Sequence, residues 1–351
     1  AAPIEVGPSL RAQLFQGQAT VIMTSATLST GKRGLFEFFQ RRVGLTQAEL
    51  GRLVPVAQDV TAEADSGGHT DNRPLVTMLP SFLALRDELQ GAFPDLPLRV
   101  GAAGGVSTPA AAAAAFAMGA AYVLTGSVNQ ACVESGSCDA VRKMLAEAQQ
   151  ADTAMAPAAD MFEMGVKVQV LKRGTMFAMR AAKLYEVYSA YPSMEAIPAP
   201  VKAALERDLF KAPLDTIWAS TREFFTKRDP EQVRKGDADP KHRMALVFRW
   251  YLGLASRWAN AGDPARRLDY QVWCGPAMGA FNEWARGSFL EAPPERKAAV
   301  VALNILVGAA YLSRLNILRL SGAAVPPALS RFAPRTLEQL QECLTPERLL
   351  A

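Results

Sequence analysis

The apolar and polar positions of this chain change texture near residue 150. From about residue 54, short apolar runs each end in a glycine-rich loop and then pass into segments with helical spacing. VAQDVTAEA leads through DSGGHTDNRP to LVTMLPSFLALRDELQ, LPLRVGAA through GGVSTP to AAAAAAFAMG, and AAYVLTG through SVNQACVESGSC to DAVRKMLAEAQQ. A β-type run followed by i, i+3, i+4 spacing, repeated in this way, predicts a parallel sheet with crossover helices and, if closed, part of a (β/α) barrel. Beyond residue 150 strand signals fade. MGVKVQVLKRG reads as an extension or insertion, and RAAKLYEVYSAY, APVKAALERDLF, LDTIWASTREFFTKR and MALVFRWYLGLASRWANAG read as helices of an all-helical second domain, separated by Asp-Pro and Gly breaks.

The most apolar late stretch, AAVVALNILVGAAYLSRLNILRL, is interrupted by Asn304, Ser313, Arg314 and Asn316. A bilayer penalises such groups, so one or two packed helices are expected instead of a membrane span. At the other end, ATVIMTSATLST followed by GLFEFFQRRVGL reads as strand, loop and helix. TQAELGRL opens on Thr46 with Glu49 three residues later, the spacing of a capping box.

Composition narrows the classes. Half of the 351 residues are apolar, enough for a substantial core, and 21% are charged without a long polar tract, which argues against extensive disorder. The 38 Lys and Arg against 34 Asp and Glu leave a net charge of +4, which gives no reason to expect nucleic acid. The four cysteines, Cys132, Cys138, Cys274 and Cys343, form no CxxC pair and have no histidine at zinc spacing. No metal site is expected, and free thiols suit a reducing, cytoplasmic setting. AAPIEVGPSLRAQLF lacks the basic and apolar segments of a signal peptide.

In parallel βα units, ligands bind at the loops following the strands. AAGGVSTPA offers Gly104 and Gly105 for close backbone approach, a cap at Ser107 or Thr108, and Pro109 in the first helical turn. LTGSVNQ repeats the idea with Gly126 and Ser127. Glycine turns before helix starts aim backbone N–H groups at an anion, and phosphate is the usual guest. A single such glycine pair is equally well a plain tight turn, so the weight lies on the two together. His69 has two readings. It is a loop residue satisfied by a neighbour, or SGGH carries the backbone close to a flat ligand and projects the imidazole at a carbonyl or a proton acceptor, with Asp65, Asp71 and Arg73 placed to orient it. His242, in DPKHRMALVFRW, opens a helix and is expected to cap it or face the surface.

From about Val54 to about Gly322 the chain resembles the C-terminal part of the PfaD family, trans-acting flavin-dependent enoyl reductases of polyunsaturated fatty acid and polyketide synthases. EADSGGHTDNRP, VGAAGGVSTPAAAAAAFAMGAAYVLTGSVNQACVESG, APAADMFEMGVKVQVLKRGTMF, FRWYLGLASRWANAG and DYQVWCGPAMGAFN all carry that resemblance. The family is related to nitronate monooxygenases and FabK-type enoyl reductases. The resemblance therefore implies an FMN-binding (β/α) TIM barrel followed by an all-helical domain, with NADPH reducing the flavin and hydride passing to an enoyl thioester on an acyl carrier protein. It makes His69 the active-site histidine and sets Gly104, Gly105, Gly126 and Ser127 in the FMN-phosphate loops, with Gly67, Gly68, Ala103 and Thr125 as further cofactor-binding residues.

Three βα units stand where a closed barrel has eight, so the N-terminal half of the barrel is expected to be absent, with its open strand edges paired by ATVIMTSATL or by another copy of the chain. Residues 1–45 resemble a short segment of DinG-type helicases, in which TSATL is a motif, yet no Walker A sequence accompanies it. The expected organisation is a replacement segment over 1–45, a partial flavin barrel over 46–190, a helical domain over 191–335 and a tail over 336–351. Two alternatives accompany the reductase: a noncatalytic chain that only docks a carrier protein or synthase, and a helicase fragment.

Overall fold

A computed structural model describes residues 57–343. The expectations for ATVIMTSATLST, for GLFEFFQRRVGL and for the capping box at Thr46 lie outside the described residues. The strands, in chain order, are β1 (Asp59–Glu63), β2 (Gly68–His69), β3 (Arg99–Ala103), β4 (Val123–Leu124), β5 (Thr153–Pro157) and β6 (Lys167–Leu171). The α-helices are α1 (Leu75–Gln90), α2 (Pro109–Ala117), α3 (Ser127–Gln130), α4 (Asp139–Ala146), α5 (Phe177–Ala190), α6 (Ala199–Leu205), α7 (Leu214–Arg228), α8 (Pro230–Ala238), α9 (Pro240–Ala261), α10 (Ala277–Ala285), α11 (Ala298–Leu320) and α12 (Leu337–Cys343). The described chain is thus mixed α/β and rich in helix. It divides into two compact units, the first holding 57–65, 71–125 and 308–330, the second 66–70, 126–307 and 331–343.

The first unit contains the parallel sheet, in the order β1-β3-β4. Strand β3 is buried from Val100 to Ala103, as expected of a strand paired on both sides and covered by helix. Gly101 leaves room for the Tyr122 ring, because a Cβ there would stand 2.1 Å from it, and the Tyr122 hydroxyl lies 2.9 Å from Thr61 Oγ1. The sheet packs on α1 through Ala62, Val100 and Ala102 against Leu79 and Leu83. Helix α2 starts where the sequence places it. Thr108 is the N-cap, its Oγ1 accepts from the Ala111 N–H at 3.3 Å, and Pro109 occupies the first turn.

In the second unit two strands lie beyond residue 150, where strand signals fade in the sequence, and MGVKVQVLKRG, read as an extension or insertion, supplies one of them. β5 and β6 form an antiparallel hairpin, and β2 pairs antiparallel with β6 in the register His69 to Val168. TAMAP escaped notice because alanine and proline carry little strand signal, whereas the buried VQVL of β6 does. The same pairing corrects the loop reading of SGGH, since Gly68 and His69 are strand residues.

The helices of this unit gather around a core in which Phe162, Phe177, Leu184, Phe210, Phe248 and Tyr251 are fully buried. Asp269, 1% exposed, anchors that core. It accepts from the Tyr251 hydroxyl at 2.7 Å, pairs with Arg180 and lies 3.2 Å from Arg266, which also donates to the carbonyls of Leu209 and Phe210. Burial first, and the Asp269 charge second, push the Tyr251 hydroxyl well above the ordinary tyrosine range.

His242 lies in the first turn of α9, but Asp239 is the N-cap. The imidazole instead lies 3.0 Å from Gln232 Oε1, half-buried, and burial lowers its pKa. The most apolar stretch is one continuous helix, α11, long and apolar enough by composition to cross a membrane. Asn304 within it is fully buried, donating to Arg335 O at 2.9 Å and accepting from Arg335 N at 2.7 Å.

Candidate functional site

In the second unit, β2 lifts His69 onto the edge of β6 and brings its Nε2 within 3.0 Å of Asp160 Oδ1, in the connection between β5 and β6. The imidazole also meets the Trp273 ring edge-on, with centroids 5.5 Å apart. Asp160 orients His69 where the sequence suggested Asp65, Asp71 or Arg73. Asp65 instead receives the Asn72 amide at 2.7 Å, and Asp71 lies 4.0 Å from Arg73. With side chains 37% and 61% exposed, the His69–Asp160 pair sets orientation more than it adds stability.

Gly67 and Gly68 are required by close approach within the chain itself. A Cβ on Gly67 would stand 2.7 Å from the Cys274 backbone nitrogen. One on Gly68, where φ is +89°, would stand 2.6 Å from the Trp273 ring. Segment 273–275 is therefore the floor beneath the histidine strand. Gly126 is the N-cap of α3 with open space around it, and Ser127 Oγ accepts from the Gly275 N–H at 3.0 Å. Cys274 is buried in this floor, and burial pushes its thiol up to about 12, so it remains a neutral thiol at physiological pH.

In the first unit, Ala103 ends β3 and Gly104 and Gly105 follow at φ +78° and +75°. Gly104 is obligatory there, since its Cβ would lie 2.5 Å from the Ala64 carbonyl oxygen, whereas the space beside Gly105 is open. Ser107 is 1% exposed, and its hydroxyl has no hydrogen-bond partner among the described residues. Two left-handed glycines, an orphaned buried hydroxyl and the start of α2 form a concave turn that suits a tetrahedral anion. Thr125 belongs to the same unit, at the end of β4. No group of three or more His, Cys, Asp or Glu able to hold a metal occurs among the described residues.

Sequence reading missed Asp160 and Trp273. Both stand far from His69 along the chain, and only the β2–β6 pairing and the 273–275 floor bring them there.

Comparison with known proteins gives three kinds of likeness. Residues 191–270 match the family described as acyl-carrier-protein S-malonyltransferase, inserted helical domain. The chain is 54% identical over 281 residues to one of the polyunsaturated fatty acid synthase subunits of Thraustochytrium sp., covering 78% of this chain and 19% of that protein. It is 43% identical over 274 residues to the polyketide biosynthesis protein PksE of Bacillus subtilis, covering 78% of this chain and 35% of that protein. Among solved structures, it is similar to the enoyl reductase domain of MlnA from the macrolactin biosynthesis cluster of Bacillus amyloliquefaciens. The TM-score is 0.71 at 37% identity, covering 80% of this chain and 63% of that one. The chain thus spans about a fifth to a third of these two curated relatives. Neither they nor MlnA is a helicase by name.

Proposed function

We propose that this chain is part of a trans-acting, flavin-dependent enoyl reductase that works on carrier-protein-bound intermediates of polyketide or polyunsaturated fatty acid synthesis. The likeness to the MlnA enoyl reductase domain and to a polyunsaturated fatty acid synthase supports the reaction class and the setting. The observation that carries the reading is the Gly104–Ser107 turn, whose open glycine and unpartnered, buried hydroxyl fit the phosphate of FMN. FMN, held at these residues, would supply hydride transfer between NADPH and the β-carbon of the enoyl thioester.

The chain's own residues hold and orient. In the first unit, Ala103, Gly104, Gly105 and Thr125 offer backbone to the phosphate end, and in the second unit Gly126 and Ser127 present a further glycine turn. Gly67 and Gly68 keep the strand close over segment 273–275. His69, steadied by Asp160, hydrogen bonds the thioester carbonyl or returns a proton to the α-carbon. The partners in this reading are acyl carrier protein domains, and the setting is cytoplasmic.

The test is optical. The purified protein loaded with FMN should be yellow and should oxidise NADPH when given an enoyl thioester, and His69→Ala should lower turnover far more than flavin content. A protein that stays colourless under FMN loading sinks the proposal. A second reading, a chain that docks a carrier protein without catalysis, is favoured by the 191–270 likeness to a helical domain of a carrier-protein transferase. Carrier-protein binding without flavin binding would select it.

A further inference from the structure

The second unit contains a cleft of about 390 Å3 that the flavin reading leaves unused. Its lining holds no ionisable side chain, only hydroxyls, amides, a glycine and one indole. Several of these groups are unsatisfied. Ser137 is buried, yet its hydroxyl makes no hydrogen bond among the described residues, and neither does the side-chain amide of Gln130 or of Asn260. These groups face the open cleft with donor and acceptor capacity that a ligand entering it can take up. With its amide oxygen turned toward Trp273, Gln271 accepts the indole N–H at 3.1 Å and donates to Leu252 O and Ser256 Oγ, which fixes the indole as one wall. Trp273 remains 43% exposed, and the same ring meets the His69 imidazole.

A lining of this kind discriminates by chemistry. It offers a phosphate or carboxylate no cation to neutralise it, and it matches a chain of amides and a hydroxyl with an apolar segment to lie on the indole. We infer that this cleft binds the pantetheine arm of a carrier-protein-bound thioester. Ser137, Gln130 and Asn260 hydrogen bond its amides, its branched carbons pack on Trp273, and its sulfur end is directed toward His69. The inference deepens the reductase reading and rests on it for the identity of the substrate.

Gly136 provides the blocking variant. A Cβ there meets no atom within 4 Å and its φ is not left-handed, so Gly136→Leu adds bulk to the cleft without straining the fold. Pantetheine itself is the probe, titrated into the full chain and followed by ligand-observed NMR, with the thermal midpoint of each variant checked beside wild type. The expected result is saturable binding that Gly136→Leu abolishes and Asn260→Ala weakens roughly 5-fold, the loss of about one hydrogen bond. Binding with that dependence upholds the cleft even in a protein that turns over no enoyl thioester. Binding unchanged in both variants, or absent at several millimolar pantetheine, overturns it even in an active reductase.

Discussion

At the scale of single residues, what distinguishes the glycines is the atoms their absent Cβ groups would strike. Gly67 faces backbone that cannot swing away, so Gly67→Ala should destabilise by about 1–3 kcal/mol, read as a lowered midpoint in denaturant. Gly136→Ala, with open space around it, should stay within about 0.5 kcal/mol of wild type. The buried thiols give a pH dependence. Burial first raises Cys132 to about 11 and Cys274 to about 12, from an ordinary 9.0. The unfolded chain ionises its thiols first, so their contribution is complete below about pH 9 and is lost as pH rises through the folded values. Unfolding midpoints should therefore fall between about pH 9 and about pH 11, and Cys274→Ala should flatten that decline.

His69 could be singled out in the sequence because two glycines precede a rare residue. Asp160 could not, since 91 positions separate the pair and only strand register joins them.

At the scale of elements, the three βα units were legible because each combines an apolar run, a glycine loop and a helix start, all local features. The N-cap of α2 is the clearest case. Thr108→Ala should cost about 1 kcal/mol by removing the acceptor for the Ala111 N–H, and Thr108→Ser should restore most of it. Thermal denaturation of both variants is the check. Gly104→Ala joins a left-handed backbone to a clash with Ala64 and should cost more than the lost cap, measured in the same way. TAMAP was illegible for the opposite reason. Its strand character comes from the partner across the hairpin and from its own composition hardly at all.

At the scale of the whole molecule, the change of texture near residue 150 marked a real shift toward helix. Yet the two compact units do not follow the chain in simple succession. Residues 66–70 belong with the second unit although 71–125 return to the first, and a five-residue excursion has no compositional signature. The second unit depends on charge buried at its centre. Asp269→Ala would leave Arg180 and Arg266 without their carboxylate and should cost about 3–5 kcal/mol. Hydrogen exchange should show the loss first in α5, in α9 and around residues 264–270, the segments that Asp269 ties together.

The amide of Asn304 bears on how this protein can be trimmed. Its two bonds to the Arg335 backbone imitate a rung between strands, and nearby the Trp284 indole N–H is held by Phe332 O at 2.8 Å. A shortened version ending before residue 332 would take these partners from the buried Asn304 carboxamide and the half-buried Trp284 indole. The peptide from 331 to 336 thus works as a fastening, and any excised form meant to stay folded has to carry it.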